Sequence, residues 1–153
     1  MYNPSLLKED AAKLGISVTD EMLSRFEKLA FLLVEQNKTM NLTAITDPDG
    51  IAVKHFADSI SALSAADFPQ GAKVLDVGTG AGFPSIPLLI ARPDLDMTMI
   101  DSTAKKLKYV ASAVESLGLT ADVLHTRAEE AGQNKEYREK FDIVCSRAVA
   151  ALN

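Results

Sequence analysis

The spacing of apolar residues changes once along this chain. Through the first 70 residues they recur at three- and four-residue intervals, the mark of helices with one buried face. Ser5 is placed to cap a first helix over 5–14, with Gly15 as its stop. Thr19 caps a longer helix whose inner face is Met22, Leu23, Phe26, Leu29, Ala30, Leu33 and Val34, and residues 37–40 break it. Asp47 followed by Pro48 predicts the start of a third helix, carrying Ile51, Phe56, Ile60 and Leu63 and fading before Pro69. After Gly71 short apolar runs alternate with helical stretches. Strands are predicted over 73–77, 96–100, 121–124 and 141–146. Helices are predicted over 85–91, opened by Pro84, and over 103–117, with Leu107, Val110, Ala111, Val114 and Leu117 inward and Gly118 as the stop. That alternation predicts an α/β fold with a parallel sheet built from βαβ units. The linker 67–71 divides the chain into an N-terminal helical cap, 1–70, and an α/β core, 71–153.

Composition fits this picture and narrows the functions open to it. With 153 residues, 47% apolar and 24% charged, the chain can bury a core of its own, which excludes a disordered tail or a collagen-like fibre. The single cysteine, Cys145, forbids an internal disulfide and reads as a core residue of the fourth strand rather than a nucleophile. Two histidines, His55 and His125, are too few for a metal site, so no metal is expected. No apolar run is long enough to span a membrane, and the polar, acidic start has no signal-peptide layout; a soluble cytoplasmic protein without membrane contact is expected. The net charge is −5, with 6 basic and 10 acidic side chains in residues 1–70 and 10 and 11 in residues 71–153. Bulk attraction to nucleic acid is thereby excluded, and only a local basic patch remains open. The one basic run is Lys105, Lys106 and Lys108, which reads either as a solvated helix face or as a phosphate contact.

The chemistry-bearing stretch is Asp76-Val-Gly78-Thr-Gly80-Ala-Gly82-Phe83, between the first strand and its helix. Open α/β sheets bind ligands beyond the carboxyl ends of their strands, and glycines let the backbone approach a ligand closely. Asp101 ends the second strand, where a carboxylate can accept hydrogen bonds from ribose hydroxyls. A dinucleotide fingerprint requires glycine where Phe83 stands, and the Gly-Lys-Ser/Thr ending of an ATPase loop is absent. The G-x-G-x-G spacing after an aspartate is the form of S-adenosylmethionine-dependent methyltransferases. That cofactor is cationic at sulfur and nitrogen, which suits an acidic Asp76 beside the loop. A plain strand-to-helix turn with glycines only for packing is the alternative.

Several segments, in order, resemble the bacterial small-subunit ribosomal RNA guanine-N7 methyltransferase family, once called glucose-inhibited division protein B. They are Asn41-Leu-Thr-Ala-Ile45, Lys54-His-Phe-Ala-Asp58-Ser59, Val74 through Pro84, Ile100-Asp-Ser102 with Lys105-Lys106, Arg127-Ala-Glu-Glu130 and Ser146-Arg-Ala-Val149. Two departures stand out: Gln36-Asn37 occupies the place of the family's usual Trp-Asn, and Ser85 that of a frequent glycine. The resemblance implies a Rossmann-like class I S-adenosylmethionine-dependent methyltransferase sheet, its first four strands in the order 3-2-1-4, behind the helical cap. It also implies S-adenosyl-L-methionine as cofactor, ribosomal RNA of the small subunit as partner, and methyl transfer to guanine N7. That nitrogen has a lone pair and no proton, so placement rather than a strong base is the enzyme's main contribution.

Site roles follow from the same resemblance. Gly78, Gly80 and Phe83 line the methionine and adenosine end, Asp101 takes the ribose, and Ala128 with Glu129 contacts the adenine. Arg147, ending the fourth strand, holds a cofactor carboxylate or an RNA phosphate. Asn41, His55 and Asp58 approach the target base, the last two sharing a helix face. Plainer readings stand beside these. Phe83 serves as a core aromatic, Thr126 and Glu129 form a capping box, Arg147 is solvated, and His55 with Asp58 is a surface pair. The chain ends at Asn153 with four of the family's seven strands, so its substrate side is expected to be incomplete. A nucleotide-binding module of the same fold without activity is therefore the second function class. The complete protein is expected to be a monomer. The uncovered 141–146 edge, with Phe141, Ile143 and Val144, is expected to make this chain self-associate.

Overall fold

A computed structural model describes residues 2–127, 129–130 and 140–146. Helix α1 is Pro4–Lys13 and α2 is Asp20–Asn37. The first is capped by Asn3, not Ser5. The Asn3 carboxamide oxygen accepts from Leu6 N at 3.1 Å, its Nδ2 donates to Asp49, and Pro4 fills the first helical position, where no N–H is needed. Thr19 caps α2 as the sequence predicts, accepting from Met22 N at 3.2 Å. Asp47 likewise caps α3, Pro48–Gly50.

The third predicted helix is not a regular one. From Ile51 to Ala57 it is wound as a π-helix, flanked by α3 and by two short turns, α4 (Asp58–Ile60) and α5 (Ala62–Ala65). The wider winding puts residues five apart on one face: Ile51 with Phe56, and His55 with Ile60, are all buried. Phe56 closes an aromatic cluster with Phe26 (4.7 Å between ring centroids) and Tyr2 (5.4 Å) that joins this segment to α1 and α2.

Strand β1 (Lys73–Val77), α6 (Ser85–Ala91), β2 (Asp96–Asp101), α7 (Ala104–Ser116), β3 (Asp122–His125) and β4 (Ile143–Cys145) follow. All strand pairs are parallel, in the order β3-β2-β1-β4. The two central strands are buried after their first residues, while β3 and β4 are half exposed. Alternation along β1 sends Val74 to the face covered by α6, α7 and the helical segment, and Leu75 and Val77 to the other, where they pack with Ile100 and Phe141. The covered face is continuous with the helical core: Leu7, Phe26 and Phe56 belong to one cluster with Ile86, Leu89 and Met97. On α7 the inward residues include Tyr109 and Ala113, and Ala111 is exposed. Residues 68–71 are fastened by Arg92, which pairs with Asp94 at 2.8 Å and donates to the carbonyls of Phe68 and Pro69, while Gly71 N donates to Asp94. No helix among the described residues is long and apolar enough to cross a membrane.

Candidate functional site

The loop between β1 and α6 is built over two carboxylates. Gly78 N and Thr79 N both donate to Ile100 O at 3.0 Å, bending the chain across the end of β2. Three glycines then take positive φ, but for different reasons. At Gly82 (φ 93°) an added Cβ would lie 2.5 Å from Ile86 Cδ1, so the close packing of loop on helix requires glycine. At Gly80 (φ 56°) a Cβ would meet nothing nearer than Gly78 O at 3.9 Å; there the conformation and the open space matter, not packing.

Asp76 lies beneath this loop, fully buried. Its Oδ2 accepts the Thr79 hydroxyl at 2.8 Å and the Ser85 hydroxyl as well, and the two hydroxyls are 3.1 Å apart. The sequence suggests an acidic group beside the ligand. The structure instead makes Asp76 a buried tie between β1, the loop and the start of α6. Ser85, the departure from the family's glycine, supplies half of that tie. Asp101 holds the loop from the other side: its Oδ2 accepts Gly80 N and its Oδ1 accepts Thr103 N, each at 2.8 Å. A carboxylate oxygen has two acceptor positions, so each Asp101 oxygen retains one for a ligand hydroxyl.

The opposite wall comes from the helical segment. The Asn37 side chain, at the end of α2, accepts from Leu42 N and Thr43 N and donates to Thr43 O, all within 2.9 Å. Thr43 so held shares a 2.8 Å hydrogen bond with His55 Nε2. The imidazole lies flat on Phe83, with centroids 4.6 Å apart and planes 1° from parallel. Between wall and loop is a cavity of about 270 Å³ lined by Leu42, His55, Thr79, Phe83, Lys106 and the glycines 78 and 80 with Ala81.

Of the residues predicted for the site, Gly78, Gly80, Phe83 and His55 meet at this cavity, and Asp101 adjoins it through Gly80. Asn41 is exposed beside Leu42. His55 and Asp58 do not share a face, because the π-helical winding buries the imidazole (7% exposed) and leaves Asp58 outside. Glu129 is exposed, and the Thr126 hydroxyl donates to Glu130 rather than closing a capping box with Glu129. Ala128 and Arg147 lie outside the described residues. Cys145 is half-buried, and burial, followed by the charge of Asp76, pushes its thiol up to about 11, so it is protonated at neutral pH. Among the described residues no group of three or more His, Cys, Asp or Glu is placed to hold a metal ion. Reading the sequence alone missed Thr43, Thr79, Ser85 and Lys106. In sequence Thr43 and Thr79 are ordinary members of the segments that carry the resemblance, and Ser85 stands out only as a departure from a frequent glycine. Lys106 belongs to the basic run, and spacing gives no sign of its place in the cavity.

Residues 22–153 match the family model described as GidB, rRNA small subunit methyltransferase G. The chain belongs to that family. It is 48% identical over 147 residues to the ribosomal RNA small subunit methyltransferase G of Desulforamulus reducens, covering 95% of this chain and 61% of the relative. The like-named protein of Alkaliphilus oremlandii is 44% identical over 149 residues, covering 97% and 62%. The chain thus spans about three-fifths of the length of these family members. Among solved structures it is similar in fold to coclaurine N-methyltransferase bound to N-methylheliamine and S-adenosylhomocysteine. There the TM-score is 0.58 at 17% identity, over 93% of this chain and 47% of that one. A protein-L-isoaspartate O-methyltransferase of Plasmodium falciparum, in complex with S-adenosyl-L-homocysteine, gives 0.54 at 15%, over 93% and 71%. The Rossmann-like methyltransferase sheet expected from sequence is the one observed.

Proposed function

We propose that this chain is the cofactor-binding part of a cytoplasmic enzyme that transfers a methyl group from S-adenosyl-L-methionine to N7 of a guanine in small-subunit ribosomal RNA. In this reading residues 1–70 form the helical cap and residues 71–153 the cofactor core. The observation that carries it is the cavity between the positive-φ glycine loop and the His55–Phe83 wall, with Asp101 at its edge. Gly80 leaves open space where any other residue would place a Cβ, and Asp101 keeps one acceptor position on each oxygen, so the site suits a nucleoside carrying two ribose hydroxyls. The N–H groups of Gly78, Thr79, Gly80, Gly82 and Phe83 all donate within the fold, so the loop does not present the row of amides that a pyrophosphate needs.

Bound S-adenosylmethionine supplies an electrophilic methyl group on a cationic sulfur. The chain's own residues bind and orient it: Asp101 at the ribose, Gly78 and Gly80 along the backbone, and Phe83 with its His55 partner as the apolar wall. Ala128, Glu129 and Arg147 are assigned to the adenine and to a cofactor carboxylate or RNA phosphate. Asn41, His55 and Asp58 are assigned to the side from which the base enters. Guanine N7 needs no deprotonation, so alignment of nitrogen, methyl carbon and sulfur accounts for the catalysis. An aromatic face beside the base, such as the His55–Phe83 stack, favours the positive charge that develops on it.

Thermal shift with S-adenosylhomocysteine, NAD and ATP tests this. Binding of the first alone is expected, with about 2.7 kcal/mol of added stability at one hundred times its Kd. Binding of NAD with none of S-adenosylhomocysteine would overturn the assignment.

A further inference from the structure

A second hollow, of about 320 Å³, lies where the end of α2 crosses α7, lined by Gln36, Met40, Lys105, Lys108, Tyr109 and Ser112. Its charged lining is entirely cationic. Lys105 and Lys108 are three residues apart and so project from one face of α7, with Ser112 one turn further on. Like charges so placed repel, yet among the described residues neither amine has an ion pair or hydrogen bond. Lys13 and Lys38, by contrast, are paired to Asp10 and Glu35, and Lys28 donates to Ser116 O. The Tyr109 ring is 7% exposed, and its hydroxyl has no hydrogen-bond partner among the described residues. The hollow is therefore lined by two ammonium groups, the Ser112 hydroxyl and the Gln36 amide, whose nitrogen also meets Thr39 Oγ1 at 3.4 Å, all donors that suit an acidic oxygen. It neighbours the cofactor cavity at the start of α7: Lys105 lines the hollow and the next residue, Lys106, lines the cavity.

We propose that this groove binds a backbone phosphate of the RNA whose base enters the neighbouring cavity. The inference rests on the RNA substrate proposed above. It resolves the conflict between an RNA partner and a net charge of −5 by concentrating the attraction on one helix face.

The test is the affinity of the whole chain for a guanine-bearing RNA hairpin, measured across a salt series. The double variant Lys105→Ala, Lys108→Ala is compared with a control of equal charge change, Lys13→Ala, Lys38→Ala. Loss of that phosphate contact should weaken binding about tenfold and lower the salt slope by roughly 0.7–0.9. The control should leave both nearly unchanged. S-adenosylhomocysteine affinity, measured on the same samples, should be equal in all three. An RNA affinity and slope unaltered by the groove variant overturn the proposal. So does an equal loss in the control, which would make the effect one of bulk charge. RNA binding that fails in the unchanged chain while S-adenosylhomocysteine binds overturns the groove and leaves the cofactor reading standing. S-adenosylhomocysteine that fails to bind while the groove variant loses RNA affinity overturns the cofactor reading alone.

Discussion

The glycine loop and the wall facing it are two halves of one cavity, held in place by different means. The loop is fixed from within its own stretch of sequence. Asp76, Thr79, Gly82 and Ser85 lie within ten residues, and their contacts are local, with Asp101 reaching in from the adjacent strand end. The wall depends on a relay across distant segments: Asn37 fixes Thr43, Thr43 fixes His55, and His55 lies on Phe83, 28 residues further along the chain. Local ties survive small shifts of the helices, whereas a relay fails at whichever member moves. Cofactor affinity should therefore be governed by the loop, and access for a base by the wall.

The largest effect should come from forcing a side chain into the loop where it packs. Gly82→Val adds a branched Cβ against Ile86 at positive φ, and should lower unfolding free energy by about 3 kcal/mol in urea titration. Gly80→Ala, with the same conformational demand and no clash, should cost about 1–2 kcal/mol in stability. Equal losses would mean that packing is not what distinguishes the two positions.

Asp101→Ala comes next. It takes the acceptor from Gly80 N and Thr103 N and from the ribose together, and should weaken S-adenosylhomocysteine binding by about 1.5–3 kcal/mol in calorimetry. Ser85→Ala removes one hydroxyl donor from a fully buried carboxylate and should cost about 1–2 kcal/mol of stability by chemical denaturation. No change would mean that Thr79 alone suffices to hold Asp76. On the wall, His55→Ala should lose about 1 kcal/mol of ring stacking and weaken cofactor binding by less than Asp101→Ala does in the same calorimetry.

The smallest effect concerns the Arg92–Asp94 pair. The Arg92 guanidinium, with help from the Gly71 N–H, holds the Asp94 carboxyl below the usual carboxylate range. The folded state thus prefers Asp94 ionised. Its contribution is present above the ordinary carboxylate pKa of about 4 and is lost as pH falls below it. Because both side chains are partly exposed, the stability difference between Arg92→Ala and the unchanged chain should be under about 1 kcal/mol at pH 7 and shrink further in acid.

What the sequence reveals follows the same division. Helix α2 and the strand alternation are local patterns, and they stand in the structure where the periodicity puts them, whereas the bond from Gly80 N to Asp101 crosses 21 residues and is not readable from spacing. The π-helical winding is legible only in hindsight, in the five-residue step from Ile51 to Phe56 where a regular helix would use four. That step sends His55 inward and separates it from Asp58, which three-residue spacing on a regular helix would keep together. The Asn3 cap was hidden because Ser5 is an equally good capping residue by type. The choice is made by Pro4 and by the bond to Asp49, 46 residues away. Ser85 stands out in sequence only as a departure from a frequent glycine and Thr79 not at all, since their role lies in a buried carboxylate whose partners no periodicity identifies.

The central claim is that one ligand fills the space between loop and wall. The measurement that tests it most directly is an amide NMR titration of the chain with S-adenosylhomocysteine. Signals of Gly78, Gly80, Phe83 and Thr103 should shift together and saturate with one Kd, with His55 following on the wall and the Lys108–Ser112 turn unmoved. Loop amides that stay in place while the ligand binds elsewhere would contradict it.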